Sequence, residues 1–334
     1  MFGIGVIGYG YWGPNLVRNF SQVEGARVLG VCDLSAKRRA QVESVYPGIK
    51  TFENPADLLA ASGIDAVCIA TPVSTHFPLA MQALEAGKHV LVEKPITPSA
   101  AEAEKLIAEA EKRGLTLMVD HTFCYTTVVR KIKELIDQGN LGQLFYYDSV
   151  RVNLGLFQHD VNVLWDLAVH DLSIMDFVLG RAPIKVAATG VASVPGQPES
   201  LAYLTCFFHD NLIAHFHVNW LAPVKIRKTL IGGSHKMIEW DDMELSEKLR
   251  VYDKGITMNS GPDAYQLKVG YRSGDMWAPH LPNTEALLVE ARHFVECAQS
   301  GRKPVTDGAA GLRVVRILEA ASKSVAQHGA PVDL

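Results

Sequence analysis

Long hydrophobic runs and clusters of positive charge are both missing from this sequence. No apolar run reaches the roughly 18 residues that a helix needs to cross a bilayer. The net charge is −4 at pH 7, and no basic stripe offers the clustered lysine and arginine that neutralise nucleic-acid phosphates. We therefore expect neither a membrane nor a nucleic acid as a partner, which leaves a small molecule.

Cysteine is also scarce, because only five of the 334 residues are cysteine and no two form a C-x-x-C pair. Four of the five stand in apolar runs, a pattern typical of buried thiols rather than of disulfides or metal ligands. The first apolar strand starts within a few residues of Met1 without a basic segment before it, so a secretory signal is not predicted. Both observations favour a cytoplasmic protein.

Two domains are expected, residues 1–121 and 122–334, because single cores stop growing near about 250 residues. In the first domain, six short apolar runs alternate with amphipathic segments near 14–22, 35–46, 55–62, 75–87 and 98–113. This alternation predicts parallel β-α-β units, and therefore an α/β domain built on a doubly wound Rossmann sheet. The pairs Asn54-Pro55 and Thr97-Pro98 are typical of helix starts, with a capping residue before a first-turn proline.

The second domain has a different pattern, in which strands follow one another without helices between them. A helix at 126–138 comes first, and helices at 284–299 and 308–327 close the chain. The strands between them predict an α+β domain with an open, mostly antiparallel sheet. In the strand LIAHFHVNW the alternate residues from Leu212 to Trp220 are all apolar, which predicts one buried face.

The stretch from Gly8 to Gly13, GYGYWG, directly follows the first strand and directly precedes a helix. Gly8 permits a tight turn, Gly10 lets the backbone approach a pyrophosphate, and Gly13 allows the helix to pack against the strand. Tyr11 and Trp12 lie between these glycines. The pattern predicts a dinucleotide-binding turn whose phosphates lie at the helix N-terminus.

The expected cofactor is NAD, with NADP left open. Asp33 ends the second strand 20 residues after Gly13, where a carboxylate accepts the adenosine ribose hydroxyls and repels a 2′-phosphate. The cations Lys37, Arg38 and Arg39 follow it, and they could neutralise a 2′-phosphate. At this helical spacing they are more typical of a solvated helix face.

Two further motifs carry residues suited to proton transfer. Glu93, Lys94 and Pro95 stand at the end of the fifth strand, the edge at which open α/β sheets bind ligands. Asp166 and His170 are spaced i, i+4, which predicts one face of a helix. A dehydrogenase needs such groups, because a substrate proton leaves when the hydride leaves.

At these motifs the sequence resembles the Gfo/Idh/MocA oxidoreductase family over essentially the whole chain. The matching stretches are GYGYWG, IATPVSTH at 69–76, EKP at 93–95, D-x-x-x-H at 166–170 and PVTDGAAGLRVVRILEAA at 304–321. The resemblance implies that Lys94 hydrogen-bonds the hydroxyl being oxidised, that His170 is the acid/base and that Asp166 positions the substrate or His170. It also implies that the nicotinamide half of the cofactor is contacted by Thr71, Pro72, His76, Glu93 and Lys94.

WDLAVHDLSI at 165–174, NLG at 153–155 and PVKIRKTLIGG at 223–233 resemble a branch found with surface-polysaccharide and sugar-nucleotide genes. The sequence departs from many members at Asn162–Trp165, which replaces a Gly-Gly-rich loop. On that branch the implied substrate contacts are Arg151, Asn153, Lys225 and Arg227, whose basic members suit a diphosphate. Solvated charge at a strand edge is the alternative interpretation.

His209, His215 and His217 lack an acidic third ligand nearby, so no metal is predicted. The family typically covers the open face of its C-terminal sheet with a neighbouring subunit, and the resemblance therefore implies a homodimer or homotetramer.

Three functions are compatible with these residues. The leading hypothesis is NAD-dependent oxidation of a secondary hydroxyl of a sugar, including a nucleotide-linked one. The second is a dehydrogenase of free cyclitols or monosaccharides. The third is a non-catalytic, NAD-binding regulator on the same fold, which the presence of Lys94, Asp166 and His170 disfavours.

Overall fold

The computed structural model describes residues 1–155, 161–259 and 268–334. Contacts between residues divide the chain into two compact units. The first consists of Met1–Thr126 and Thr284–Arg316, and the second of Thr127–Asn283 and Ile317–Leu334. The domain boundary placed after residue 121 stays a prediction. None of the described helices is long and apolar enough to cross a bilayer.

The first unit contains a six-stranded parallel sheet in the order β3-β2-β1-β4-β5-β6. Its strands are β1 (Phe2–Ile7), β2 (Ala26–Cys32), β3 (Lys50–Phe52), β4 (Ala66–Ile69), β5 (His89–Glu93) and β6 (Leu117–Asp120). Its helices include α1 (Gly13–Phe20), α2 (Ala36–Val45), α3 (Pro55–Ala60), α4 (His76–Glu85) and α5 (Ala100–Arg113). The predicted doubly wound Rossmann sheet is confirmed.

The sheet of the first unit is covered on both faces, because every residue of β1, β4 and β6 is buried. Continuous apolar strands of this kind are typical of parallel sheets between two helix layers. The strand order reverses direction between β1 and β4. Open α/β sheets bind ligands at such a switch point, beyond the carboxyl ends of the strands.

The two predicted helix starts have different outcomes. Asn54 caps α3 as predicted, because its side-chain oxygen accepts the Ala56 N–H at 3.1 Å. The prediction at Thr97-Pro98 is wrong, since Ser99 caps α5 instead. The Ser99 hydroxyl accepts the Glu102 N–H at 3.3 Å and donates to the Glu102 carboxylate at 3.1 Å. The first of these bonds is an N-cap and the second fixes the Glu102 side chain beside it, so the helix starts after Pro98.

The second unit contains a nine-stranded sheet in the order β16-β13-β12-β11-β7-β10-β9-β8-β17. Its strands are β7 (Leu144–Leu154), β8 (Lys185–Val191), β9 (Leu201–Phe207), β10 (Ile213–Asn219), β11 (Leu221–Gly233), β12 (Met237–Asp241), β13 (Leu249–Tyr252), β16 (Met276–Trp277) and β17 (Val332–Asp333). Strands β14 (Gly255–Asn259) and β15 (Lys268–Arg272) form a separate antiparallel pair. In the large sheet, β7 and β10 pair in parallel, and the other described pairs are antiparallel. The predicted mostly antiparallel sheet is confirmed.

The remaining helices are α6 (Thr127–Asp137), α7 (Val169–Leu179), α8 (Ala286–Ser300) and α9 (Gly308–Ala326). Helix α8 belongs to the first unit and packs against α1, while α6 packs against α7 in the second. The predicted buried face of β10 is confirmed, because the alternate residues from Leu212 to Trp220 are each at most 1% exposed.

Candidate functional site

The glycine turn is sterically restricted to glycine at two of its three positions. Gly8 has φ +96°, and a Cβ added there would stand 2.3 Å from the Ala70 carbonyl oxygen. A Cβ on Gly13 would stand 2.1 Å from the Gly8 carbonyl oxygen, so α1 and the turn can approach only without side chains. A Cβ on Gly10 would stand 3.0 Å from the Arg38 guanidinium, and this flexible side chain can move away. The backbone cradle therefore fits a dinucleotide pyrophosphate.

A cavity of about 790 Å³ opens at the switch point of the sheet, lined by the segments that follow β1, β2, β4 and β5. Eight of the predicted cofactor residues line it: Gly8, Gly10, Tyr11, Trp12, Asp33, Thr71, Pro72 and Glu93. Tyr11 is 92% exposed, which leaves its ring available to a ligand. The cavity thus brings together glycines, an acid and apolar side chains in the combination that a dinucleotide requires.

Asp33 is held at the end of β2 by backbone groups. Its carboxylate accepts the Tyr9 N–H and the Ser35 N–H, each at 2.8 Å, and its side chain is 8% exposed. Arg38 also lines the cavity, and its Nη1 stands 3.5 Å from Asp33 Oδ2. Because a carboxylate has about four acceptor positions, Asp33 retains capacity for ribose hydroxyls. Arg38 is the cation that a 2′-phosphate would use.

His76 lies behind the cavity and links two of its walls. The ring is 1% exposed, with Nδ1 2.8 Å from the Pro95 carbonyl and Nε2 2.8 Å from the Thr71 carbonyl. Burial lowers the pKa of His76, and so does the charge of Lys94, against the effect of the two carbonyls. The predicted nicotinamide contact of His76 stays a prediction, while its hydrogen bonds fix the segments after β4 and β5.

Lys94 follows the last residue of β5, and the Lys94–Pro95 peptide is cis. The neighbouring strand β6 ends at Asp120, whose Cα pairs with that of Glu93. Asp120 is 3% exposed and accepts the Trp12 indole N–H at 2.6 Å and the Thr122 hydroxyl at 2.5 Å. The E-K-P turn is therefore next to a buried acid that also holds a cavity-lining tryptophan.

Asp166 and His170 lie in one continuous helical segment of the second unit. Asp166 belongs to a π-helical turn, Leu164–Ala168, and His170 to the first turn of α7. Asn162 starts this segment, because its side-chain oxygen accepts the N–H groups of Leu164 and Trp165 at 3.1 and 3.2 Å. These two hydrogen bonds satisfy backbone donors at the start of the segment.

The indole N–H of Trp220 donates to Asp166 Oδ2 at 2.9 Å. Trp220 is 1% exposed and follows β10, so the sheet fixes the Asp166 carboxylate. Both Asp166 and His170 are half-buried. The pair can position a bound hydroxyl group and accept its proton as the hydride leaves, and its role stays a prediction.

Two of the four predicted substrate residues are paired with acids inside the second unit. The Arg151 guanidinium forms a bidentate pair with Asp171 at 2.7 and 2.9 Å, and both side chains are at most 5% exposed. Arg227 lies opposite Arg151 in the register of β7 and β11, and its Nη1 stands 3.5 Å from Asp242 Oδ2. The two acids offset the repulsion between facing like charges. A diphosphate contact by either arginine stays a prediction.

The other two predicted substrate residues are more accessible, because Lys225 is exposed and Asn153 is half-buried. The histidines of the sheet have ring and hydroxyl partners: Tyr203 stacks on His217 at 4.6 Å, and Thr205 hydrogen-bonds His215 at 3.1 Å. Across residues 1–155, 161–259 and 268–334, no group of three His, Cys, Asp or Glu side chains is placed to hold a metal ion.

Sequence reasoning missed Asp120, His121 and Glu290, and it assigned Trp220 only to packing. A weak signal for Glu290 exists, since the carboxylate interrupts the apolar stripe formed by Leu287, Ala291 and Phe294 on α8. Asp120 ends a strand next to the strand that carries Glu93, which is also visible in the order of apolar runs. That these groups meet could not be read from the sequence.

Comparison with known proteins gives family matches to both parts of the chain. Residues 2–121 match an oxidoreductase family with an NAD-binding Rossmann fold, described as Gfo/Idh/MocA. Residues 129–239 match the Gfo/Idh/MocA C-terminal domain.

Among curated relatives, UDP-N-acetylglucosamine 3-dehydrogenase of Acidithiobacillus ferrooxidans is 30% identical over 315 residues, which is 93% of each chain. scyllo-Inositol 2-dehydrogenase (NAD(+)) of Bacillus subtilis is 26% identical over all of this chain and 95% of its own. A solved structure of the A. ferrooxidans enzyme superposes with a TM-score of 0.82 at 26% identity, covering 98% of both chains.

Proposed function

Because the chain belongs to the Gfo/Idh/MocA oxidoreductase family, we propose that it oxidises a secondary hydroxyl group of a nucleotide-linked sugar. Its cofactor is NAD. The observation that carries the proposal is that Glu93 of the E-K-P turn lines the same cavity as Gly8 and Gly10, with Lys94 next in the chain. A pure cofactor binder has no need of a lysine at that position.

Lys94 is the residue to which we assign the main catalytic role. Its ammonium group donates a hydrogen bond to the substrate hydroxyl and stabilises the negative charge that develops on this oxygen as the proton leaves. When bound, the cofactor supplies the hydride acceptor. The buried ring of His76 and the hydrogen bonds of Asp33 hold the segments around the cavity in place.

In the second unit, His170 is assigned the acid/base role, because imidazole exchanges protons near neutral pH. Asp166 is assigned the positioning of the substrate or of His170. Its carboxylate is restrained by the Trp220 indole, and a restrained carboxylate orients a partner at a smaller entropic cost.

The nucleotide-linked sugar is favoured over a free cyclitol by the 30% identical relative, which acts on a UDP-linked amino sugar. The exposed Lys225 is the cation of the second unit that is most accessible to a diphosphate among the predicted substrate residues. Nucleotide sugars are the activated units from which polysaccharides are built, so we assign the enzyme to polysaccharide biosynthesis. The 26% identical inositol dehydrogenase supports the free cyclitol as the second candidate.

We further propose a homodimer or homotetramer formed through the sheet of the second unit, and a cytoplasmic location. Tyr203 and Ile213 on that sheet are 41% and 44% exposed, and large apolar side chains of this kind form a surface that a second copy can cover. All five cysteines are free and buried, which suits a reducing compartment. Sedimentation at micromolar concentration tests the oligomer.

The test of function begins with NADH and NADPH titrations of the pure protein, followed by turnover assays with UDP-, dTDP- and GDP-sugars and with free inositols. Lys94→Ala should bind NADH as the wild type does and lose turnover by about 10²- to 10⁴-fold. The exposed Lys105 on α5 provides the matched control, Lys105→Ala, which should retain full turnover.

Near-normal turnover of Lys94→Ala would overturn the catalytic assignment. Turnover with inositols alone, without competition by UDP, would replace the nucleotide sugar by the free cyclitol. Tight NADH binding with no turnover on any of these substrates would favour the non-catalytic regulator.

A further inference from the structure

A group of buried ionisable side chains lies around the E-K-P turn in the first unit. Asp120 ends β6, His121 follows it, and Glu290 lies in the second turn of α8. These three side chains are 3%, 2% and 0% exposed. A charge on any of them would carry a large desolvation cost unless a partner compensates it.

The hydrogen bonds of the group are unequal. Asp120 accepts one hydrogen bond on each oxygen, from Thr122 and from Trp12. Neither oxygen of Glu290 and neither ring nitrogen of His121 has a hydrogen bond of good geometry among the described residues. Because hydrogen bonds stabilise the charged form of a carboxyl group, Asp120 is the acid equipped to carry a negative charge.

The pKa directions agree with this assignment. Burial raises the pKa of Glu290 well above its ordinary value, and the neighbouring Asp120 raises it further. Burial also raises the pKa of Asp120, but Thr122, Trp12 and the Lys94 charge oppose that rise. Burial together with the Lys94 charge lowers the pKa of His121 to about 3. At neutral pH His121 is therefore uncharged, and Glu290 holds its proton more tightly than an exposed glutamate does.

We propose that Asp120 and Glu290 form a carboxyl pair that holds one proton and one negative charge. This charge serves as the fixed counter-charge of the Lys94 ammonium, and the carboxylate that carries it anchors Trp12 at the cavity. The proposal rests on the catalytic role of Lys94 proposed above. Both acids are positioning residues, because they act through Lys94 and Trp12. Among the described residues, the titratable groups around Lys94 are Glu93, His76, Asp120 and His121. Glu290 interacts in turn with Glu93 and Asp120.

The pair explains why an acid whose contacts with Asp120 and Thr122 fall short of full hydrogen-bond geometry is buried in α8. A neutral Glu290 fills the space beside Asp120 without adding a second negative charge, as two carboxyl groups sharing one proton do in other sites. The single negative charge offsets the positive charge of the Lys94 ammonium, the proposed hydrogen-bond donor to the substrate oxygen. Trp12 gains a fixed orientation from the same carboxylate.

The experiment compares pH profiles of kcat/KM for sugar oxidation, from pH 6 to 10, using the substrate identified by the turnover assays. The alkaline limb of this profile is the fall in kcat/KM at high pH. Asp120→Asn removes the negative charge at nearly constant shape and should move this fall to lower pH by about one unit, because a cation loses its proton more readily when a nearby negative charge is removed. Asp65→Asn is the matched control, because Asp65 is exposed, precedes β4 and keeps its acceptor for the Gly3 N–H. Its limb should coincide with that of the wild type.

Two further variants separate charge from structure. Trp12→Phe removes the indole hydrogen bond without changing charge, so it should weaken NADH binding and leave the limb in place. Glu290→Gln mimics the protonated acid and should also leave the limb in place, whereas a downward shift would mean that Glu290 carries the charge and would overturn the proposal.

The proposed function and the carboxyl pair fail in different ways. A Lys94→Ala enzyme that retains turnover removes the catalytic role itself. An inactive Lys94→Ala enzyme together with an unshifted limb in Asp120→Asn removes only the carboxyl pair.

Discussion

The two units of this protein differ in how their predicted site residues are used. In the first unit, eight predicted residues line a single cavity. At Gly8 and Gly13 an added Cβ would stand 2.3 and 2.1 Å from a backbone carbonyl oxygen, so both positions require glycine. In the second unit, the two predicted substrate arginines are each paired with an aspartate of the same unit. A motif set by backbone sterics can be located from the sequence, whereas a cation's partner depends on strands and helices that meet only in the fold.

The largest expected effect is at the buried pair of Arg151 and Asp171, where a variant tests whether this arginine is a structural partner of the acid. Arg151→Met leaves Asp171 buried without its partner and should lower the free energy of unfolding by about 3–5 kcal/mol. Urea denaturation measures the loss. The control Arg181→Met breaks an exposed pair with Asp210 in the same unit and should cost less than about 1 kcal/mol.

If Arg151→Met instead stays within about 1 kcal/mol of the wild type and raises KM for the sugar substrate, Arg151 is a substrate contact. The double variant Arg151→Met with Asp171→Leu should recover most of the lost stability, because it removes both buried charges.

Gly13→Ala tests the steric side of the comparison. The added Cβ would meet the Gly8 carbonyl at 2.1 Å, so α1 must shift away from the turn at a cost of about 3 kcal/mol. We expect NADH affinity to fall by about 100-fold, measured by fluorescence titration. Gly48→Ala is the control, since its Cβ would have no neighbour closer than 3.7 Å. Equal NADH affinity in both variants would contradict the steric account.

The same contrast between local and tertiary features explains how much of the fold and the site could be predicted from the sequence. Most strands of the first sheet could be read from apolar runs, because β1, β4 and β6 are buried along their whole length. The start of α5 was misassigned because the Ser99 cap, whose hydroxyl bonds both the N–H and the carboxylate of Glu102, outweighs the Thr97-Pro98 signal. Both of these features are local in sequence.

The Asp120–Glu290 pair joins residues 170 positions apart, and no local pattern links β6 to α8. The role of Trp220 at Asp166 is likewise invisible before the end of β10 and the π-helical turn are seen to meet. These contacts required the fold, since a hydrogen-bond partner is selected by tertiary packing rather than by spacing along the chain.

Glu290→Gln tests the buried acid of the first unit through the dependence of stability on pH. The pKa of Glu290 is raised in the folded protein, so the folded state holds this proton more tightly than the unfolded state does. Its contribution to stability is complete below the unfolded value, near 4.5, and is lost as pH rises towards the folded pKa, by at most about 1.4 kcal/mol per pH unit. The variant does not titrate there, so its Tm relative to the wild type should rise between pH 5 and 8.

Glu109→Gln is the control for this measurement. Glu109 is half-buried on the helix surface, and hydrogen bonding by Arg113 lowers its pKa, so it is mostly ionised across this pH range in both states. Its Tm difference from the wild type should be constant between pH 5 and 8. A constant difference for Glu290→Gln as well would mean that Glu290 is not protonated in the folded protein.

Lys225→Ala carries the smallest expected effect and tests the accessible side of the second unit. An exposed lysine near a diphosphate contributes less than about 1 kcal/mol in water, so KM for the nucleotide sugar should rise about three- to fivefold at low salt, with kcat retained. The rise should shrink at about 0.5 M salt, because screening weakens an exposed ion pair. The control is Lys185→Ala on β8, which is separated from β11 by β7, β10 and β9. An unchanged KM at low salt would make Lys225 a solvated cation, and nucleotide recognition by the second unit would then have to come from neutral donors such as Asn153.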